Sequence, residues 1–243
     1  MPIHALSNLS KAIGLPSLIL GSSVWLLRRY LPPAVSSILA YISLSGLSVA
    51  LAANSVVCIP TSTAWLGKDQ ATGQISLPGY LLQWPYHALL HTRIARRRRT
   101  SSEPLYSLVA PDLYLGGWPR HSSDLPQGGL ARVDMTAELP ARGSGPYLNV
   151  PLYDTQGPSA QQTETAVKWA AARRREGTPV YVFCQNGHGR SGVVAAALLV
   201  ELGLARDGEE ALRVLKAARP RVRFNAAQAE AMRAWEAVQR AQQ

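Results

Sequence analysis

The chain predicts an α/β domain preceded by an apolar helical region, and three observations carry that prediction. Residues 180–199, VYVFCQNGHGRSGVVAAALL, pass from a β-branched and aromatic run through a glycine-containing loop into an Ala-rich apolar run, which reads as strand, loop, helix. From about residue 105 onward, short β-type runs alternate with helical periodicity, the pattern of helices layered on a sheet. Before that point the composition differs, because the first 92 residues hold only Lys11, Arg28, Arg29, Lys68 and Asp69 as charges. At 243 residues the chain accommodates one full-sized domain and a smaller region.

In the N-terminal region, Tyr30 to Gly67 is 38 residues without a charge, well beyond the ~20 apolar residues that carry a helix across a bilayer. A transmembrane helix is expected at about 34–59, flanked by Pro32, Pro33 and Pro60, and its Ser and Gly content suits close helix contacts in lipid. Residues 12–27 are a shorter uncharged run, interrupted by Gly14, Pro16 and Gly21 and closed by Arg28 and Arg29. This run reads as the first arm of a helical hairpin rather than a signal peptide, since two Arg and a second apolar run follow it in place of a cleavage site. Residues 75–90 are uncharged but broken by Pro78, Gly79 and Pro85. Tyr80, Trp84 and Tyr86 mark that stretch as a segment at headgroup level or a third, irregular crossing.

A basic linker at 93–104 follows, with Arg93 and Arg96, Arg97, Arg98 and Arg99. Such a cluster reads either as a solvated linker run or as a contact with anionic lipid, worth ~1 kcal/mol per basic residue, and it favours a cytoplasmic side for the domain beyond it. The net charge of +10 raises nucleic acid as a partner, but no nucleic-acid motif accompanies the cluster and none is expected. Cys58 and Cys184 lie in different surroundings and form no CxxC or Cys/His set, so neither a disulfide framework, a metal site nor an organic cofactor is expected. His87 and His91 have the i, i+4 spacing of a helical metal pair without an acidic or Cys partner nearby.

Within 105–243, residues 113–115, 132–135, 147–150 and 180–183 read as strands, and 159–176, 191–202, 208–218 and 226–242 as helices. Ser159 and Asp207 are placed to cap two of these helices.

The loop between the strand at 180–183 and the helix that follows has a definite chemistry. Gln185, Asn186, Gly187, His188 and Gly189 can curl so that backbone N–H groups converge on one point, where the positive end of the helix dipole adds to them. Arg190 supplies a planar fork for two oxygens of a tetrahedral oxyanion, so a phosphate group is the natural guest. In that field Cys184 loses its proton readily and becomes a nucleophile beneath the bound phosphorus, while Ser191 can donate a hydrogen bond to the sulfur as it leaves. The spacing of Cys, five residues and Arg is by itself a weak signal; the strand, the glycines and the helix around it give it weight.

The stretch 184–191 resembles the phosphate-binding loop of cysteine-dependent protein-tyrosine phosphatases, in particular the dual-specificity class. Further segments are similar to that family: APDLYLGGWP at 110–119 to its opening strand, RVDMTAELP at 132–140 to its second strand and turn, and NVPLYDTQGP at 149–158 to the loop bearing its general acid. RPRVRFNAAQ at 219–228 is similar to its closing segment. The resemblance implies a dual-specificity-phosphatase-like three-layer sandwich with a central sheet, preceded by the transmembrane helices. It implies catalytic roles for Cys184, Arg190 and Ser191, with Asp154 as general acid; Asp134 is the competitor, with capping of Thr136 its alternative task. The family usually places His immediately before the cysteine, where this chain has Phe183.

These readings converge on a membrane-anchored phosphatase of phosphoprotein Tyr, Ser or Thr. The alternatives are a lipid phosphate phosphatase of the phosphatidylglycerophosphate type and a phosphate-binding module with little turnover. A thiolate mechanism requires a reducing compartment, which agrees with a membrane protein whose phosphatase domain faces the cytoplasm.

Overall fold

The computed structural model of the protein describes residues 8–54, 68–126 and 129–242. Two compact units emerge, one from Met1–Lys68 with Ile75–Ser102 and the other from Asp69–Gln74 with Glu103–Gln243.

The first unit contains α1 (Asn8–Leu27), α2 (Pro33–Ala52), a short α3 (Leu77–Leu82) and α4 (Trp84–Thr100). Helices α1 and α2 are each long and apolar enough to cross a membrane. They pack against each other through small residues. Ser43 Oγ donates to the Ser17 carbonyl at 2.8 Å, and a Cβ on Gly21 would lie 2.6 Å from Ser43 Oγ. Of the span expected at 34–59, α2 accounts for the part up to Ala52, and residues 55–67, Cys58 among them, lie outside the described residues. The expected run 12–27 lies within α1, which tolerates Pro16 inside its length.

The broken stretch at 75–90 forms α3, whose N-cap Ser76 accepts from Gly79 N at 3.3 Å, and the start of α4. The basic run is helical: Arg97, Arg98 and Arg99 form the last turn of α4, where cations complement the dipole. His87 and His91 share one face of α4 with ring centroids 6.5 Å apart.

The second unit is built on β1 (Tyr106–Ala110), β2 (Leu113–Gly117), β3 (Ala131–Asp134), β4 (Tyr147–Asn149) and β5 (Val180–Cys184), in the order β1-β2-β5-β3-β4. Only β1 is antiparallel to its neighbour. The sequence reading did not anticipate β1, a half-exposed edge strand whose apolar residues do not alternate. Strand β5 sits in the middle and is buried at all five positions. Alternation along it puts Val180, Val182 and Cys184 into the core, while Tyr181 and Phe183 stack on each other with centroids 5.3 Å apart.

Among the described residues, four α-helices complete the unit: α5 (Ala160–Arg175), α6 (Arg190–Glu201), α7 (Gly208–Ala218) and α8 (Ala226–Ala241). Ten consecutive residues of α6, from Arg190 to Leu199, are buried, which is why this run has no polar face. The N-caps follow local chemistry. Ser159 accepts from Gln162 N at 3.1 Å and Asp207 from Glu210 N at 2.8 Å, as expected, and Asn225 adds a third cap by accepting from Gln228 N at 2.9 Å. The result is a mixed α/β domain with a central sheet, and the β5-to-α6 loop opens at the carboxyl ends of the parallel strands.

Candidate active site

Cys184 closes β5, and α6 begins six residues later at Arg190, so the loop Gln185 to Gly189 spans the two. Its curl has local causes. Gly187 adopts φ +74°, and a Cβ there would overlap the backbone of Gly116; a Cβ on Gly189 would lie 2.6 Å from the Gln228 amide. Three successive carbonyls turn outward. Gln185 O accepts from Trp118 N at 3.3 Å, Asn186 O from Arg219 Nη2 at 3.0 Å, and Gly187 O from Arg219 Nε at 3.0 Å. In a trans peptide N–H and C=O point in opposite directions, so the amides of Asn186, Gly187 and His188 face the sulfur side. Gly187 N donates to Cys184 Sγ at 3.3 Å.

Ser191, fully buried, donates through Oγ to Cys184 Sγ at 3.2 Å. Burial pushes the Cys184 thiol up, but the Arg190 charge with the donors of Ser191 and the loop backbone outweighs it, and the thiol lies below its ordinary value. Alternation along β5 puts the Phe183 side chain on the opposite side of the strand from Cys184, stacked on Tyr181, and the donors to the sulfur are Ser191 and Gly187.

Arg190 is 1% exposed, and its guanidinium is held from one edge. Nη1 donates to both oxygens of Glu138, at 2.9 and 3.1 Å, and to Leu152 O at 2.6 Å. Among the described residues, Nε and Nη2 are buried and make no hydrogen bond, Nη2 having only the longer ion-pair contact to Asp154. A buried, unsatisfied pair of charged donors is costly unless an anion completes it, and their parallel geometry is the one that grips two oxygens of a phosphate. Burial opposes the Arg190 charge, yet Glu138 and Asp154 hold it firmly in place.

Asp154 follows β4 on a loop whose Thr155 has φ +72° and donates its N–H to Asp154 Oδ1 at 3.1 Å. The carboxylate is 37% exposed and lies 3.6 Å from Arg190 Nη2. Helix α8 anchors this loop, because Asn225 Nδ2 donates to Thr155 O at 2.9 Å and Gln228 Nε2 to Gln156 O at 3.3 Å. Asp134 is elsewhere engaged: it accepts from Thr136 N at 2.9 Å, from Thr136 Oγ1 at 2.7 Å and from Tyr147 Oη at 2.8 Å.

The structure therefore brings Cys184, Ser191, Arg190 and Asp154 to one point, with Gln185 buried behind the loop. His188 turns to Glu103, its Nε2 lying 2.8 Å from the carboxylate. Three residues of this assembly escaped the sequence reading. Glu138, fully buried, had one legible signal, a carboxylate in the apolar turn MTAELP, which must be paired if buried. Burial raises its pKa and Arg190 pulls against that. Arg219, 2% exposed, ties the loop to Pro104 O at 2.9 Å, and Glu103 joins it at 3.6 Å. Glu103 lies just ahead of the boundary at 105 drawn from sequence.

Residues 130–204 match the family model of a DSP-PTPase phosphatase of polymorphic toxin systems. No curated protein matches the sequence. Among solved structures, Tk-PTP in its active form is 26% identical, with a TM-score of 0.50 over 55% of this chain and 97% of that one. Human DUSP28 is 25% identical, with a TM-score of 0.50 over 56% and 96% of the two chains. A mouse dual-specificity phosphatase solved with zinc tungstate shares the fold at 24% identity and TM-score 0.51, over 58% and 92%. The fold, the loop and the family match agree: residues 130–204 of the second unit match a DSP-PTPase phosphatase domain, and the unit has the mixed α/β fold of the dual-specificity phosphatases.

Proposed function

We propose that the protein is a membrane-anchored phosphomonoesterase that hydrolyses phosphoprotein through a phosphocysteine intermediate. The observation that carries this reading is the pair of buried donors on Arg190, Nε and Nη2, that make no hydrogen bond among the described residues, beside a thiol held below its ordinary pKa.

The steps follow from that geometry. The Arg190 fork and the loop amides bind the equatorial oxygens, and the Cys184 thiolate attacks phosphorus in line. The S–P bond forms as the P–O bond to the leaving group breaks, and protonated Asp154 transfers its proton to the departing oxygen. Asp154 then takes a proton from water, whose oxygen attacks the phosphocysteine. The S–P bond breaks, inorganic phosphate leaves, and the Ser191 hydroxyl stabilises the returning thiolate.

Because the donors on the sulfur are independent of Phe183, turnover is favoured over phosphate binding alone. Membrane anchorage is supported by α1 and α2, which are long and apolar enough to span a bilayer, and the Arg-rich end of α4 favours the cytoplasmic side for the domain after it.

Full-length protein in detergent and its Cys184→Ser variant test the reading with an aryl phosphate, a phosphotyrosyl peptide and a phosphorylated lipid in anionic vesicles. Release from the aryl phosphate and the peptide by the parent, with none by the variant, is expected. Turnover confined to the vesicle substrate would replace the protein substrate by a lipid one, and vanadate binding without any turnover would leave a binding module.

A further inference from the structure

The turn Asp69–Gln74 belongs to the phosphatase unit although it precedes the rest of that unit in sequence. It is closed on itself: Gly73 N donates to Asp69 O at 2.7 Å, Asp69 N to Gln74 O at 2.8 Å, and Thr72 N to Asp69 Oδ1 at 2.7 Å. The turn meets the segment between β3 and β4 at Ala141. Ala141 N donates to Gly73 O at 2.8 Å, and Gln74 Nε2 donates to Ala141 O at 3.1 Å.

Gly73 has φ +68°, and a Cβ there would overlap both Ala141 Cβ and Tyr147 Oη. Tyr147 Oη is the group that donates to Asp134 Oδ2, and the other oxygen of Asp134 orders Thr136. The turn thus touches the segment at its base, through Tyr147, and at Ala141. Between Asp134, which Tyr147 bonds, and Ala141 lies Glu138, whose carboxylate holds Arg190 Nη1. Pro140 O accepts from Trp118 Nε1 at 2.6 Å, and Trp118 N reaches the phosphate loop at Gln185 O, so the same segment is linked to both sides of the site.

We infer that the Asp69–Gln74 turn is a positioning element of the phosphate site, holding the Glu138 segment and through it the orientation of the Arg190 fork. The inference rests on the reading of Arg190 as the phosphate ligand. A fork that binds two oxygens in parallel is sensitive to rotation, and both Glu138 oxygens accept from Nη1, which Leu152 O also holds. A displacement of about 1 Å at such a group costs on the order of 100-fold in a reaction that depends on alignment.

The test uses the full-length protein in detergent with Gly73→Ala, which places a Cβ in the occupied space, and Gln74→Ala, which removes only the bond to Ala141 O. Two quantities that need no turnover are measured: vanadate affinity, and the pH midpoint of Cys184 alkylation by iodoacetamide, followed on the Cys184 peptide so that Cys58 does not interfere. For Gly73→Ala, vanadate binding falls about tenfold. Its alkylation midpoint rises by about half a pH unit as the Arg190 charge moves off the sulfur, with the thermal midpoint of the phosphatase unit kept. Gln74→Ala shifts both in the same direction by less, and it decides the matter where Gly73→Ala unfolds the unit.

Unchanged vanadate affinity and alkylation midpoint in Gln74→Ala and in any folded Gly73→Ala overturn the inference. A parent protein that binds vanadate but releases no phosphate sinks the catalytic reading alone and leaves this one standing.

Discussion

Helices α1 and α2 and the phosphatase unit place their large apolar side chains oppositely. In the helical unit Ser17, Ser43, Ser45 and Gly46 are buried, while Leu18, Ile19, Trp25, Ile38 and Leu44 are more than half exposed. In the phosphatase unit the order is the ordinary one, with Val193 through Leu199 fully buried in α6. Water cannot drive the first arrangement, since it leaves the apolar surface outside. It is the arrangement expected where small residues let helices approach and lipid covers the rest. On the membrane-anchored reading proposed above, the chain follows two solvents, and a substitution should act differently in each.

The largest contrast lies in the buried charges of the phosphatase unit. Glu138→Ala leaves the Arg190 cation buried without its partner and should lower stability by about 3–5 kcal/mol in urea unfolding of the phosphatase unit. An unchanged unfolding midpoint would show that Arg190 is held by other groups. Arg190→Lys keeps a charge and loses the fork, and should lower kcat/KM on an aryl phosphate by on the order of 100-fold or more; near-parental turnover would show that the fork does not bind the phosphoryl oxygens.

Next in size is a pair of substitutions that tests the solvents directly. Leu198→Ala in α6 should cost about 2–5 kcal/mol because it opens a cavity in a filled core. Leu44→Ala, at a site 65% exposed, should stay within about 0.5 kcal/mol. Charge sharpens the same point. Leu18→Asp with Leu44→Asp adds about 2.5–3.5 kcal/mol per charge at a helix centre in lipid and should release protein from carbonate-washed membranes. Retention in the membrane fraction would mean that these faces do not meet lipid.

The smallest effect expected is on proton affinity. Ser191 favours the thiolate, so Ser191→Ala should move the Cys184 thiol up toward its ordinary value. The thiolate is the reactive form, and the acid limb of Cys184 alkylation should therefore move to higher pH. A limb that stays in place would mean that Arg190 and the loop amides account for the whole depression.

What could be read from the sequence was whatever lies close together along it. Strand β5, the loop and α6 are contiguous, so the chemistry of Cys184, Arg190 and Ser191 is visible in a short window, as are the caps at Ser159 and Asp207, set by residues three positions away. The apolar arms α1 and α2 follow from composition alone. Asp154 came from resemblance, since one Asp before a turn has no periodic signature.

Tertiary structure alone decided the rest. Glu138 reaches Arg190 across 52 positions, Arg219 orients the loop carbonyls across 33 at Asn186, and the turn at Asp69–Gln74 meets Ala141 across 67 from Gln74. Edge strand β1 and the side of β5 that receives Phe183 belong with these, because each is settled by which strand lies beside it. Hydrogen bonds between distant residues leave no spacing in the chain; they exist only once burial has removed the water that each polar group would otherwise bind.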